Sequence, residues 1–177
     1  ITWQGSFMID LLGSSPKILV IGDLMVDHYL WGSCKRISPE APVQIVNIAS
    51  ESLTLGGAGN VVNNLTALGA EVDVISVIGQ CEASEELKEL LLNIKIDTQY
   101  LITQKDRITS KKSRIIAEQQ QVVRYDRENT DEINTKSQAA IIKTFEAIVN
   151  NYDVILVSDY GKGILTFKLT QSLINIA

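Results

Sequence analysis

Four segments of the sequence carry side chains suited to recognising a polar, anionic small molecule. The first is Gly22-Asp23, with Asp27 four residues further on; the second is Ser158-Asp159-Tyr160-Gly161-Lys162-Gly163. Carboxylates accept hydrogen bonds from sugar hydroxyls, and a lysine framed by glycines can approach a phosphate closely. Asp23 also reads as a turn or helix-capping carboxylate. Asp27 stands in an apolar context, and Lys162 between two glycines has no ready structural explanation. The third segment is Gly56-Gly57-Ala58-Gly59-Asn60. Missing side chains let a ligand approach the backbone there, and the amides that open a helix favour oxygen-rich ligands. It is no dinucleotide fingerprint, because Val62 stands where the third glycine belongs, and it lacks the Gly-Lys-Ser/Thr of a phosphate loop. The fourth segment runs from Lys105 to Arg127. Seven basic residues there oppose three acidic ones, so it carries +4 and the rest of the chain −9 of a net −5. Such a run is either a solvated strand surface whose charges block edge pairing or a local anion site for a phosphorylated small molecule.

Other reactive residue types lack partners. His28 is the only histidine, with no triad or metal-ligand companions at recognisable spacing, and a non-catalytic role is expected. Cys34 and Cys81 form no CxxC or ligand pattern and read as ordinary thiols. No metal site is expected.

The elements that position these residues follow from apolar spacing. Lys17–Gly22 is a short apolar run closed by glycine, as a buried parallel strand would be; Val72–Ile78 and Val154–Val157 read the same way. Val61, Leu65 and Leu68 mark a helix after the glycine run, with Gly69 where a C-terminal cap belongs. Ser84-Glu85-Glu86 resembles a capped helix start leading into Leu87, Leu90, Leu91 and Ile94. Ile141, Ile142, Phe145, Ile148 and Val149 mark an amphipathic helix, and Leu165–Ile176 a further one. Strands alternating with helices predict βαβ units and a parallel sheet. The β-rich stretches 43–49 and 100–126 break that rhythm and are expected to form a separate small sheet. Residues 1–7 have no periodicity and precede Met8, a plausible native start, so they are read as an appended remnant.

Composition narrows the class. A chain of 177 residues, 45% hydrophobic and 21% charged, can bury a core of about one domain. No apolar stretch approaches the roughly 18 residues of a membrane helix. Two cysteines are too few for a disulfide scaffold, and the net charge of −5 argues against a general nucleic-acid binder. A cytoplasmic protein with neither nucleic acid nor membrane as partner is expected.

In combination, the segments resemble the N-terminal half of a ribokinase-type (PfkB family) carbohydrate kinase. The first signature of that family is matched by Gly56-Gly57-Ala58-Gly59-Asn60 with Leu68-Gly69-Ala70 and Gly79 downstream. Ile21–Asp27, Arg36–Val43, Gln120–Asp126 and Val157–Gly163 resemble, more narrowly, the D-glycero-β-D-manno-heptose-7-phosphate kinase branch, often fused to an ADP-heptose synthase domain. The resemblance spans about residues 17–176. It implies a doubly wound, mainly parallel α/β sheet with helices on both faces and a small β lid, the C-terminal part of the fold lying outside this sequence. Residues 8–177 would form the N-terminal part of the kinase domain, with lid segments at about 31–55 and 98–127.

The resemblance further implies ATP-dependent phosphorylation, with Mg2+, of heptose 7-phosphate at its anomeric hydroxyl, for lipopolysaccharide or other surface-glycan precursors. Asp27 matches the aspartate that holds sugar hydroxyls, and Gly56, Gly57 and Asn60 match the glycine-rich sugar contact. Lys112, Arg114 or Arg124 would lie near the 7-phosphate, Asp159 would join the substrate residues, and Lys162 would approach the sugar phosphate or the ATP phosphates. The lid would mediate a homodimer. Gln80-Cys81 departs from the acidic pair usual after the glycine. The family's Gly-Ala-Gly-Asp motif, which supplies the catalytic base, does not occur in these residues. No catalytic residue is therefore expected here, and the 177-residue chain alone is expected to be inactive. The alternatives are another PfkB sugar kinase or a non-catalytic sugar-binding or dimerisation module.

Overall fold

The computed structural model describes residues 15–177; the remnant expected at 1–7 and the candidate start at Met8 lie outside the described residues. In chain order the elements are β1 (Lys17–Gly22), β2 (Leu24–Ile37), β3 (Gln44–Gly57), α1 (Ala58–Ala67), β4 (Glu71–Ile78), α2 (Glu82–Asn93), β5 (Leu101–Thr103), β6 (Ser110–Ala117), β7 (Gln120–Arg127), α3 (Thr135–Ile148), β8 (Val154–Ser158) and α4 (Phe167–Ile176).

β1 sets the architecture. Its branched apolar residues alternate between two cores: Ile18 and Val20 enter one, Leu19 and Ile21 the other. Burial on both faces is what a central parallel strand requires. β4 and β8 flank it in parallel and β5 extends the sheet beyond β4, giving the order β5-β4-β1-β8. The Val20 side is covered by Val62 of α1 with Leu87 and Leu91 of α2. The Ile21 side is covered by Ile141 and Phe145 of α3 with Leu169 and Leu173 of α4. This is the doubly wound, mixed α/β arrangement expected from the sequence.

A second sheet grows from the end of the first through the single residue Asp23. Its order is β3-β2-β6-β7, with β2 and β3 antiparallel, β6 parallel to β2, and β7 antiparallel to β6. Its bounds differ from the expected lid segments. The hairpin starts at Leu24 and runs to Gly57, not 31–55, and Leu101–Thr103 joins the core sheet beside β4 instead of the second sheet. The reason lies in burial. β3 is mostly exposed away from its last residues and β7 is exposed throughout, so no period-two apolar pattern marks these strands.

The helix ends follow their local signals only in part. Gly69 closes α1 with φ +91°, its N–H on the Thr66 carbonyl at 3.0 Å and that of Ala70 on the Leu65 carbonyl at 3.1 Å. Ser84, expected to cap α2, lies inside its first turn, and Cys81 holds the cap position. The buried Ser84 hydroxyl instead donates to the Gly79 carbonyl at 2.8 Å and lies 2.8 Å from Thr109 Oγ1, tying α2 to the approach to β6.

Candidate functional site

From β1 the chain moves to β4 and β5 on one side of the sheet and, after β7 and α3, crosses back to β8 on the other side of β1, so the carboxyl ends of β1 and β8 flank a topological switch point, the usual crevice for ligands in open parallel sheets. Asp23, at the end of β1, is completely buried. Its Oδ2 accepts the N–H groups of Tyr160 at 2.8 Å and Lys162 at 3.1 Å, and Oδ1 accepts that of Ile164 at 3.3 Å. The carboxylate is therefore the anchor of the 159–163 loop, the turn role its sequence context allowed. Arg107, also buried, donates to the carbonyls of Asp131 at 3.0 Å and of Lys162. Burial pulls its guanidinium below the ordinary arginine range, against the opposing charges of Asp23 and Asp131. Gly163 has φ +78°, and a side chain there would strike the Asp131 carbonyl. The loop is thus fixed from inside, with Lys162 at its tip.

The second sheet supplies the other wall. Register sets Asp27 of β2 opposite Lys112 of β6, and Lys112 opposite Asp126 of β7; Arg114 pairs with Arg124. Strand alternation brings all of these to one face. Asp27 Oδ1 takes Arg114 at 2.5 Å, Lys112 donates to Asp126 at 3.1 Å, and Arg124 Nε lies 3.1 Å from Asp126. Lys162 reaches across to Glu128 at 2.9 Å, and Lys112 lies 3.6 Å from the same carboxylate. Arg114 also sits 5.2 Å above the Tyr29 ring, which stacks on Trp31. Partial burial pulls Arg114 down, but Asp27 outweighs it and holds the guanidinium above its ordinary range. Partial burial likewise pushes the Asp126 carboxyl up, while Lys112 and Arg124 prevail and hold it below the usual carboxylate range.

The glycines make the room. A Cβ on Gly56 would lie 2.5 Å from Asp27 Oδ2, so only glycine leaves the carboxylate its place. Gly57 has φ +56°, and its Cβ would lie 2.5 Å from the Asp23 carbonyl oxygen. Asp27, Lys112, Arg114, Arg124 and Lys162 are therefore drawn into one charged face, with Gly56 beside it. Two expected residues stand apart. Asn60, exposed on α1, lines a groove with Leu55, Leu90 and Ile94 and makes no hydrogen bond to the charged face among the described residues. Asp159 turns its carboxylate back onto the Gly161 N–H at 2.8 Å, shaping its own loop. His28 lies on the opposite face, with Nε2 2.9 Å from Glu51 and Nδ1 3.2 Å from Ser113. There it borders a cleft of about 450 Å³ shared with Cys81 and Lys111. Sequence reading missed Arg107, Asp126 and Glu128. The alternation Arg124, Asp126 was a usable signal, since residues two apart on a strand share a face, and Glu128 continues it one residue past the end of β7. Among the described residues, no three His, Cys, Asp or Glu side chains converge as a metal site, and no helix is long and apolar enough to cross a membrane.

Comparison with known proteins decides the family. The model of the pfkB family carbohydrate kinases matches residues 15–172. The chain belongs to this family. It is 62% identical over 167 residues to the bifunctional protein HldE of Aliarcobacter butzleri, covering 94% of this chain and 35% of that protein. It is 53% identical over 160 residues to the bifunctional protein HldE of Campylobacter fetus subsp. fetus, covering 90% of this chain and 34% of that protein. The pfkB-family chain thus spans about a third of the length of these relatives. Among solved structures, a carbohydrate kinase from Agrobacterium tumefaciens superposes with a TM-score of 0.64 at 22% identity, over 92% of this chain and 50% of that one. The tetrameric inhibited form of phosphofructokinase-2 from Escherichia coli gives 0.66 at 17% identity, over 92% and 51%. At these identities the likeness is one of fold, a ribokinase-like mixed α/β sheet.

Proposed function

We propose that this chain carries the sugar-binding part of a heptose-7-phosphate kinase, which transfers a phosphoryl group from ATP to the anomeric hydroxyl of D-glycero-β-D-manno-heptose 7-phosphate. The product, the 1,7-bisphosphate, would feed ADP-heptose and lipopolysaccharide core synthesis in the cytoplasm. The observation that carries the reading is one charged face in which a carboxylate, Asp27, is locked to Arg114 beside Lys112 and within reach of the Lys162 loop. The similarity to the HldE proteins supports it.

In this reading Asp27 accepts hydrogen bonds from sugar hydroxyls, and Arg114 fixes the orientation of that carboxylate. Gly56 and Gly57 let the ring approach the backbone, with Asn60 and Asp159 at the margins of the site. Lys112, Arg114 and Arg124 face the 7-phosphate, because charge-assisted hydrogen bonds favour a dianion over a hydroxyl. Lys162 faces a phosphate of the sugar or of ATP. Mg2+-ATP, when bound, supplies the phosphoryl group and offsets its charge; positioning and electrostatics account for most of such catalysis. The residues here serve the sugar side, and none is assigned as the base. A homodimer through the second sheet is part of the proposal, supported by the exposed Trp31, Ile37, Val43 and Ile48 on its β2–β3 hairpin.

Calorimetric titration with heptose 7-phosphate, using ribose and fructose 6-phosphate as controls, tests the reading. Saturable binding selective for the heptose phosphate is expected. Equal affinity for fructose 6-phosphate points to another sugar kinase, and no binding by folded protein overturns a sugar site within these residues.

A further inference from the structure

One carboxylate oxygen in the charged face has no donor. Glu128 Oε2 is shut off from solvent and accepts no hydrogen bond among the described residues. Its sister Oε1 takes the Lys162 ammonium at 2.9 Å, while Oε2 lies 3.6 Å from Lys112, close enough for attraction and too far for a hydrogen bond. Lys112 stands on the second sheet and Lys162 on the loop after β8, and the Lys112 ammonium and the Lys162 backbone are each held without Glu128. Asp126 holds Lys112 at 3.1 Å, and Asp23 and Arg107 fix the backbone of Lys162. Glu128 is therefore not needed to hold the Lys112 ammonium or the Lys162 loop in place, and its one hydrogen bond is to the Lys162 ammonium. Its carboxylate occupies the space between the two ammonium groups and satisfies only one. A phosphate monoester has three acceptor oxygens and a charge of about −1.5 to −2 at neutral pH, so it can bond both ammonium groups at once.

We propose that Glu128 is an internal stand-in for phosphate: its carboxylate fills the seat between Lys112 and Lys162, and a phosphate-bearing ligand displaces it. This rests on the reading above that the site takes a phosphorylated sugar, and it adds a specificity device to that site. A ligand without phosphate cannot replace the displaced charge and leaves both lysines without an anion between them. The carboxylate therefore screens neutral sugars out while costing a phosphorylated one little.

Titration of the chain and of Glu128→Gln with inorganic phosphate, read from the side-chain NMR signals of Lys112 and Lys162, tests the seat. In the wild type, phosphate shifts both lysine signals. Glu128→Gln, which keeps the shape and loses the charge, binds phosphate about threefold to fivefold more tightly, the scale of one partly exposed ion pair. Glu128→Ala moves affinity in the same direction. Unchanged or weaker phosphate binding in the two variants overturns the proposal. So does unfolding of either variant at 25 °C, which would make the carboxylate a structural tie. Heptose 7-phosphate, run in parallel, separates the two claims. If it binds no better than inorganic phosphate, the sugar reading fails and the seat stands. If it binds selectively while phosphate affinity ignores Glu128, the seat fails and the sugar reading stands.

Discussion

Replacing Asp23 by alanine probes the device that holds the Lys162 loop. The carboxylate has 0% exposure and accepts three backbone N–H groups, at 2.8, 3.1 and 3.3 Å. A hydrogen bond to a charged group is worth about 1.5–3 kcal/mol, and leaving the buried partners unmet adds to the loss. Counting the two shorter bonds in full and the longest weakly gives a destabilisation of about 4 kcal/mol. Arg107 meanwhile stays buried and loses one of the charges that offset its desolvation. For a domain of this size the melting temperature falls by about 8–16 °C. Urea unfolding gives the stability, and amide hydrogen exchange at Tyr160, Lys162 and Ile164 gives the locality: these amides lose protection before the rest of the core. Asp23→Asn loses less, because its amide oxygen can keep the Tyr160 and Lys162 N–H groups, while the charge that strengthens them is gone and its NH2 group meets the Ile164 N–H. A loss below about 1 kcal/mol, with the three amides still protected, would refute the anchor role.

Three other outcomes follow from the same geometry. Gly56→Ala puts a methyl group where the Asp27 carboxylate lies, 2.5 Å from Oδ2, and is expected to break the Arg114 pair; heptose 7-phosphate affinity drops at least about tenfold at a stability cost of about 1–3 kcal/mol. Calorimetry with thermal melting checks this, and unaltered affinity removes Asp27 from the sugar site. Neutralising Arg114 and Arg124 together, as Arg114→Met with Arg124→Gln, weakens the phosphorylated sugar more than its dephosphorylated form, and equal losses reject the anion role of this face. The folded Asp126 carboxyl titrates below its ordinary value, so its stabilising share is complete above about pH 4 and vanishes as pH falls through the lower, folded value. Asp126→Asn is accordingly less stable at neutral pH but loses stability less steeply below about pH 4, measurable as urea midpoints along a pH series.

The core sheet was readable because burial on both faces writes itself as unbroken apolar runs, as in Lys17–Gly22 and Val72–Ile78. The second sheet was half readable. Its existence followed from the β-rich stretches, but the full 14-residue length of β2 and β3 leaves no local mark because solvent on their outer reaches leaves residue choice free. Ser84 shows another limit: the capping pattern was present, yet a tertiary partner, Thr109, captured the hydroxyl. In the charged face, residue types were legible and pairings were not. Nothing local links Lys162 to Glu128 or Asp23 to Ile164, which are 34 and 141 residues apart in sequence. Long-range pairs of this kind come from topology, and the sequence carries them only through the strands that create it.

The position of Asp23 explains why the two sheets can share a site. The residue is the only one between β1 and β2, so its backbone belongs to the turn from one sheet into the other. Its N–H bonds the Ser158 carbonyl at 3.1 Å, its carbonyl receives the Ala58 N–H at 2.9 Å where the hairpin returns, and its side chain takes the loop after β8. The ends of β3 and β8 are thereby fixed to a single buried residue that itself joins β1 to β2. Asp27 is four residues beyond this pivot, where the hairpin is still buried against the core, while Arg124 lies on the outermost strand and is half exposed. On the sugar-kinase reading, the group that holds the ring hydroxyls is rigidly placed relative to the Lys162 loop, and the outer cation can move. That division suits a substrate whose reacting end must be held to a fraction of an ångström and whose distant phosphate needs only attraction.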